Sequence, residues 1–241
     1  MTDPTHPQAA PRREVTSFVR RGGRMTQGQL RAWHMYAPHF VVPLPGLPHS
    51  GIVEPREPLD LESLFGRRAP IVVEIGPGMG ESLAAMAARH PDRDFIAFEV
   101  YEAGAAGLIL KLARAEVDNV RVIVADAVSG LRHLLAPGSL TEVLTFFPDP
   151  WPKARHHKRR LVDTAFADLV ADRLTSDGLW RLATDWQEYA DQMREVLDPH
   201  PQFTNLHDGW APRFDERILT RFENRGIREG RTIRDLTYRR S

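Results

Sequence analysis

The stretch IVVEIGPGMG (71–80) decides the fold. A short apolar run, interrupted only by Glu74, ends in a glycine and reads as a buried strand. The residues that follow, ESLAAMAARH (81–90), have helix-forming composition, with Glu81 placed where a carboxylate favours a helix N-terminus. The rhythm repeats outward from there. DFIAFEV (94–100) is a second strand, followed by an Ala/Leu-rich helix to about Glu116. NVRVIVADA (119–127) is a third, then a helix over 128–135 and the strand LTEVLTFF (140–147). RLVDTAFADLVADRL (160–174) places Leu161, Val162, Ala165, Phe166, Leu169, Val170 and Leu174 on one helical face. GLWRLATDW (178–186) is a fifth strand, WQEYADQMREVL (186–197) an amphipathic helix, and the tail 201–241 supplies two last strands. The pattern predicts an α/β, Rossmann-like fold: a mostly parallel seven-stranded sheet with helices on both faces. Residues 1–16 read as a disordered arm, 17–69 as an N-terminal extension and 70–241 as the main domain. Within the extension, residues 34–58 hold six prolines and read as an extended lead-in.

At 241 residues the chain suffices for one well-cored α/β domain with appendages. No apolar run approaches the roughly 18–20 residues needed to cross a bilayer. The first residues, MTDPTHPQAAPRREV, lack the apolar stretch of a signal peptide. With no cysteine there are no disulfides, thiolate metal sites or Cys nucleophile, and a reducing cytosol fits. A cytoplasmic protein, monomer or homodimer, with no membrane and no metal partner is expected. The formal net charge of zero hides an asymmetry. Residues 1–31 are net +4, 153–160 are +5 and 213–241 are +4, which leaves −13 for the rest. Three basic segments on an acidic body predict a positive face turned to an anionic partner, with scattered surface arginine as the plainer alternative.

A glycine turn between strand and helix brings backbone N–H groups up to a ligand, and two cofactor types use it. The dinucleotide fingerprint, G-x-G-x-x-G, wants a third glycine at position 81, where Glu81 stands and would repel a pyrophosphate. Here the spacing is G-x-G-x-G, from Gly76, Gly78 and Gly80, after the strand carboxylate Glu74. That suits a ligand with an amino-acid end and no pyrophosphate, such as S-adenosylmethionine. On its own such a turn also serves pure packing. The second strand ends in Glu99, placed to accept both ribose hydroxyls, and the third in Asp126, placed to take the adenine amino group. Each acid alone reads equally as a solvating strand-end charge. Three of them on the C-terminal rim of consecutive parallel strands predict a nucleoside site, because that rim is where open α/β sheets bind ligands.

The fourth strand leads into FFPDPWPKARHHKRRL (146–161), which puts Asp149 on the same rim. Pro148, Pro150 and Pro152 fix their own φ and restrict the residues before them, so the loop holds a carboxylate still. Trp151 adds a flat surface, and a proline-rich turn with a packed Trp is the plainer reading. The tetrapeptide DPWP also loosely resembles the Asn/Asp-Pro-Pro-aromatic motif of exocyclic-amine methylases, with Trp in third place and a further Pro. From Lys153 to Arg160 five Lys/Arg and two His run without a carboxylate. Lys153, Arg155, Lys158 and Arg159 read as contacts to an anionic partner, with a solvated surface as the alternative, and His156 and His157 as partner-facing or structural rather than metal-binding.

Together with EIGPGMG, LATDWQEYADQM (182–193), TRFENRGIREGRTIRDLTYRR (220–240) and the upstream FVRRGGRMTQGQ (18–29), that run resembles the bacterial tRNA (guanine-N7)-methyltransferase family over roughly residues 17–241. The resemblance implies a class I methyltransferase fold, S-adenosylmethionine as donor, and methylation of guanine 46 in the tRNA variable loop. It implies cofactor contacts at Glu74, Glu99, Asp126 and Asp149 and a catalytic role for Asp149. Substrate contacts are implied at Lys153, Asp185, Thr220, Arg221, Phe222 and Glu223. Pro77 fills a turn position often aromatic in the family, which leaves the loop shape open, and Ala154 replaces a frequent Lys. Guanine N7 offers a lone pair and no proton, so alignment and electrostatics should carry the reaction rather than a base. Asp149 is expected to orient donor and base, and Asp185 or Glu223 to accept from the guanine N1–H and amino group. The alternatives are a methylase of an exocyclic amine in RNA or DNA, using the same donor, and a catalytically idle RNA-binding protein.

Overall fold

Seven strands form one sheet in the order β3-β2-β1-β4-β5-β7-β6. They are β1 Ile71–Ile75, β2 Asp94–Phe98, β3 Val120–Ile123, β4 Leu140–Phe146, β5 Leu174–Thr184, β6 Phe203–Asn205 and β7 Arg234–Arg240. These elements come from a computed structural model, which describes residue 17 and residues 24–241. The expected arm over 1–16 and the stretch 18–23 lie outside the described residues. β1 to β5 pair in parallel, and β7 runs antiparallel between β5 and β6. Strand order reverses at β1, which has β2 on one side and β4 on the other, so a crevice is expected beyond their C-terminal ends.

Alternation along the strands divides the core in two. Val72, Phe95, Ala97, Val120, Val122 and Leu144 face α1 (Gln27–Phe40), α3 (Glu81–Arg89) and α4 (Glu102–Arg114). Val73, Ile96, Phe98, Ile123, Val143, Trp180 and Leu182 face α5 (Ala127–Leu134), α6 (Thr164–Arg173) and α7 (Gln187–Leu197). Both faces of the central strands are therefore buried, which is why their sequences read as near-continuous apolar runs. A short α2 (Leu61–Phe65) precedes β1, and α8 (Arg221–Arg228) precedes β7. Beside β4 and β5 the first face is also covered by irregular chain. Phe214 packs on Phe146 with ring centroids 6.0 Å apart, and Arg181 lies 4.4 Å from the Phe214 ring. Glu216 anchors the same segment to the end of α3, with its Oε2 2.7 Å from His90 Nε2.

Several boundaries differ from the sequence pattern. Residues 34–40, read as the start of an extended lead-in, are the second half of α1. A capping box starts that helix: Thr26 Oγ1 accepts from Gln29 N at 3.2 Å, and Gln29 Oε1 accepts from Thr26 N at 2.8 Å. Pro38 is accommodated in the last turn, and Val41 N–H donates to Ala37 O at 2.8 Å to close the helix. Only then does the chain extend, and its backbone is tied to the domain. Val42 N–H reaches Val122 O at the outer edge of β3, Gly51 O accepts from Asp126 N, and Leu59 N–H reaches Leu134 O. An edge strand covered in this way is a poor template for another chain. The helix expected from residue 160 starts at Thr164 instead, because Asp163 is its N-cap and accepts from Phe166 N at 2.8 Å. Leu161 and Val162 precede it, with Val162 N–H donating to the Tyr189 hydroxyl at 3.0 Å. β5 begins four residues before the expected 178, directly where α6 stops.

Gly80, the N-cap of α3, has φ 75°, and a Cβ there would fall 2.1 Å from Leu108 Cδ1 and 2.9 Å from Leu108 Cβ. Left-handed backbone costs a non-glycine residue about 1–2 kcal/mol, and overpacking about 1–3 kcal/mol. Gly80→Ala should therefore lower stability by about 2–5 kcal/mol, measured as a lower urea midpoint at unchanged m-value.

Candidate cofactor and RNA site

A cleft of about 230 Å³ opens beyond the ends of β1, β2 and β4, lined by Gly76, Glu99, Asp126, Phe147 and Asp149 among others. Four of the predicted site residues thus meet around one space. Gly76 has φ 68° and Gly78 φ 58°, and a Cβ at either would meet nothing within 4 Å. Backbone conformation, not crowding, asks for glycine there, and it leaves open space in front of the turn. Pro77 is compatible with the turn, its carbonyl accepting from Gly80 N at 2.9 Å. Glu99 lies one residue past β2, and its two oxygens accept from Gly78 N at 3.0 Å and Tyr101 N at 2.8 Å. Asp126 caps α5 rather than ending β3: its Oδ2 accepts from Ser129 N and Ser129 Oγ, both at 2.8 Å. The other oxygen of Asp126 has no described partner, so capping and ligand binding are compatible in one side chain.

The rim is electrostatically loaded. Glu74 is buried on β1, its Oε2 without a hydrogen-bond partner. Burial pushes its carboxyl up to about 8, the Glu99 charge pushes the same way, and Arg217 opposes both. Glu99 is also raised, chiefly by burial, against the backbone N–H groups that favour its ionised form. Asp149 adds repulsion to Glu99, so these two acids share one field. At both ends of the proline loop the backbone is left-handed in a residue with a side chain, Phe147 at φ 53° and Trp151 at φ 46°. Such conformations persist where the surroundings over-determine them. Phe147 N–H donates to Ala183 O at 2.7 Å, and the Trp151 indole N–H donates to Ser17 O at 3.1 Å.

The basic run forms a 3₁₀ helix, Ala154–Arg159. Side chains three apart eclipse in that geometry. His156 and Arg159 accordingly share the edge that meets Trp151, His156 edge-on at 5.8 Å and Arg159 at 4.2 Å from the ring. Arg155 and Lys158 share another edge, exposed, and with Lys153 they form no ion pair with any described residue. Lys158, Arg159 and Arg160 line a second cleft with Arg132, and this cleft shares Asp126 and Leu161 with the first.

A family model described as "Putative methyltransferase" matches residues 68–236. A tRNA (guanine-N(7)-)-methyltransferase of Cutibacterium acnes (strain DSM 16379 / KPA171202) is 52% identical over 232 residues, covering 95% of this chain and 84% of that protein. The chain belongs to the tRNA (guanine-N7)-methyltransferase family. Proteins of the same description from Nocardioides sp. (strain ATCC BAA-499 / JS614) and Paraburkholderia xenovorans (strain LB400) are 48% and 46% identical. The alignments take in 95% and 99% of this chain, and 88% of each relative. Among solved structures, the 16S rRNA methyltransferase KamB superposes with a TM-score of 0.54 at 15% identity, over 77% of this chain and 95% of that one. Geranyl diphosphate C-methyltransferase from Streptomyces coelicolor A3(2), solved with S-adenosyl-L-homocysteine, gives 0.50 at 14% identity, over 75% and 74%. The shared feature is the class I methyltransferase fold.

The family uses S-adenosylmethionine, and the rim residues of this member fit it: an unpartnered buried carboxylate oxygen on Glu74, open space at Gly76 and Gly78, and acids at Glu99 and Asp126. The implied substrate residues are more scattered. Asp185 lines a separate groove with Trp186 and Arg231, and its Oδ2 accepts from Arg231 Nη1 at 2.6 Å. Thr220 is the N-cap of α8 and accepts from Glu223 N at 3.3 Å. The side chains of Arg221 and Phe222 lie outside the described set. Glu223 is fully buried, and its oxygens receive four N–H donors from Arg213 and Arg217. A carboxylate has about four acceptor positions, so none is left for a base in this arrangement. Burial works against its charge, yet those two arginines hold the carboxyl below its ordinary value. Sequence reading missed Arg217, Trp186 and Arg231. The one local hint was the five acids spaced among the nine arginines of the tail.

Since the Glu74 carboxyl is held above its ordinary 4.5, the folded chain retains a proton there that the unfolded chain loses. Stability should fall as pH rises from about 4.5 through about 8. Glu74→Gln cannot ionise, so in thermal scans of the ligand-free protein it should flatten that slope. At the alkaline end it should raise Tm by about 2–4 °C for each kcal/mol recovered.

Proposed function

We propose that the chain transfers the methyl group of S-adenosylmethionine to N7 of guanine 46 in the variable loop of tRNA. The observation that carries this reading is the pairing of two strand ends. Phe147 N–H bonds to Ala183 O, so the loops bearing Asp149 and Asp185 leave the sheet side by side. Asp149 lines the cleft beyond β1, β2 and β4, and Asp185 a separate groove. Bound S-adenosylmethionine supplies a methyl group made electrophilic by its sulfonium. Guanine N7 would supply the lone pair for the new C–N bond as the C–S bond breaks, so that positive charge would leave sulfur and end on the purine. N7 carries no proton, so no side chain has to accept one.

What the chain contributes is alignment and negative potential. Asp149 is held between Pro148 and Pro150 and stabilises the cation forming on the purine. Asp185 accepts from the guanine N1–H and 2-amino group, where adenine would present a lone pair. Glu223 supports α8 through Arg213 and Arg217 instead of reading the base. Extracting a stacked base costs a few kcal/mol, and phosphate contacts at Lys153, Arg155 and Lys158 offset it.

Labelled methyl from S-adenosylmethionine should appear in unmodified tRNA transcripts at a single N7-methylguanine, mapped by cleavage to the variable loop. Asp149→Asn should lower kcat by about 10²–10³-fold; label on any other base would reject the assigned target. Replacing Lys153, Arg155 and Lys158 together by Ala should reduce the log–log salt slope of tRNA binding by about 2, at about 0.7 per single-stranded phosphate contact.

A further inference from the structure

Arg231 does more beside Asp185 than neutralise it. Its Nη1 donates to Asp185 Oδ2 at 2.6 Å, and its guanidinium lies 5.7 Å from the centre of the Trp186 ring. Nη2 is held by Glu229. The platform beneath is fixed: Trp186 packs against the main core, its N–H donates to Thr184 Oγ1 at 3.2 Å, and its carbonyl starts α7 by accepting from Tyr189 and Ala190. The lid above is close-fitting. Gly226 of α8 lies so near that an added Cβ would stand 3.0 Å from Asp185 Oδ2, so a side chain there would crowd the acid.

A guanidinium is a flat plane of N–H donors that stacks on aromatic faces and pairs with carboxylates. The Watson–Crick edge of guanine offers the same two features, adjacent N–H donors on a flat π surface. We propose that Arg231 is a substrate-mimicking plug, filling the guanine subsite formed by Asp185 and Trp186 until the incoming base displaces it and stacks on Trp186 in its place. This rests on the reading of Asp185 as the acceptor for the guanine edge.

Displacement is easy on these observations. The Asp185–Arg231 pair is partly exposed, with 18% and 37% of the two side chains accessible. Pairs of that kind are worth at most about fivefold in an equilibrium. Arg231 also keeps Glu229 as an ionic partner when it leaves Asp185. Guanine replaces its hydrogen bond to Asp185 and its cation–π contact with Trp186 together. Adenine would displace the plug and leave a lone pair facing the Asp185 carboxylate, an unpaired contact that the site penalises.

The test titrates guanosine and adenosine, neutral nucleosides whose binding does not report phosphate attraction, into the full chain with saturating S-adenosylhomocysteine by calorimetry. Arg231→Ala should bind guanosine about three- to fivefold more tightly than the unaltered protein, with no gain for adenosine. Trp186→Leu should bind it at least about fivefold more weakly, the lower end of what base–aromatic stacking contributes. Unchanged S-adenosylhomocysteine affinity shows that each variant is folded. Guanosine binding by Arg231→Ala that is equal to or weaker than that of the unaltered protein, or undetectable in both, overturns the plug. Asp185→Asn separates the two ideas: a guanosine preference that survives it overturns the underlying reading of Asp185. Loss of the preference there, with no effect of Arg231→Ala, leaves that reading standing and rejects the plug alone.

Discussion

Arg217 is 1% exposed, and its guanidinium donates to both oxygens of Asp235 and both of Glu223 while lying 5.0 and 5.4 Å from the rings of Phe146 and Phe147. Those partners belong to β7, α8 and the end of β4, so one buried charge determines where three otherwise separate elements meet. Breaking a buried pair by removing one partner leaves an uncompensated charge, at about 3–5 kcal/mol. The same cation acts on Glu74, opposing the burial and the Glu99 repulsion that keep it protonated. Among the rim acids its effect falls on Glu74, where it offsets part of the cost of burial.

What the sequence makes legible, and what it hides, follows from how local each determinant is. The strands are legible because apolar side chains fill both faces, as Val72 and Val73 do on β1. The rim acids are legible because parallel strands end together. The start of α1 was not read from the sequence, although TQGQ (26–29) carries the capping-box pattern that the structure shows in use. Thr220 and Glu223 carry the same signature, but there the glutamate turns inward to two arginines. Nothing local to residue 223 announces that choice. Arg160 closes a run of cations and reads like its neighbours. It is buried, with Nε on Pro150 O at 2.9 Å and Nη1 on Gln192 Oε1 at 2.6 Å.

The charge asymmetry resolves along the same line. The tail over 213–241 is net positive by count, but Arg213, Arg217, Arg225, Arg231 and Arg239 all face carboxylates. Five of its nine arginines are thus paired within the chain, Arg217 in the core and the others nearer the surface. Lys153, Arg155 and Lys158, at and within a short 3₁₀ helix next to the proline loop, are exposed and form no ion pair with any described residue. The positive face suggested by composition is therefore narrower than the count implies, and it lies beside the proline loop that carries Asp149.

β7 lies between β5 and β6 yet follows both in the chain. A chain still under synthesis can therefore pair β5 with β4 before β7 exists, which leaves the second edge of β5 without its native partner until residues 234–240 are made. At about 5–20 residues per second that interval lasts several seconds. The exposed edge carries LWRLAT (179–184), apolar and β-forming, which can recruit a neighbouring nascent chain. Residues 234–240 thus close the fold in time as well as in space. Until they leave the ribosome, the strand leading to Asp185 is an open template, and polysomes crowded with this message are where chaperone dependence should concentrate.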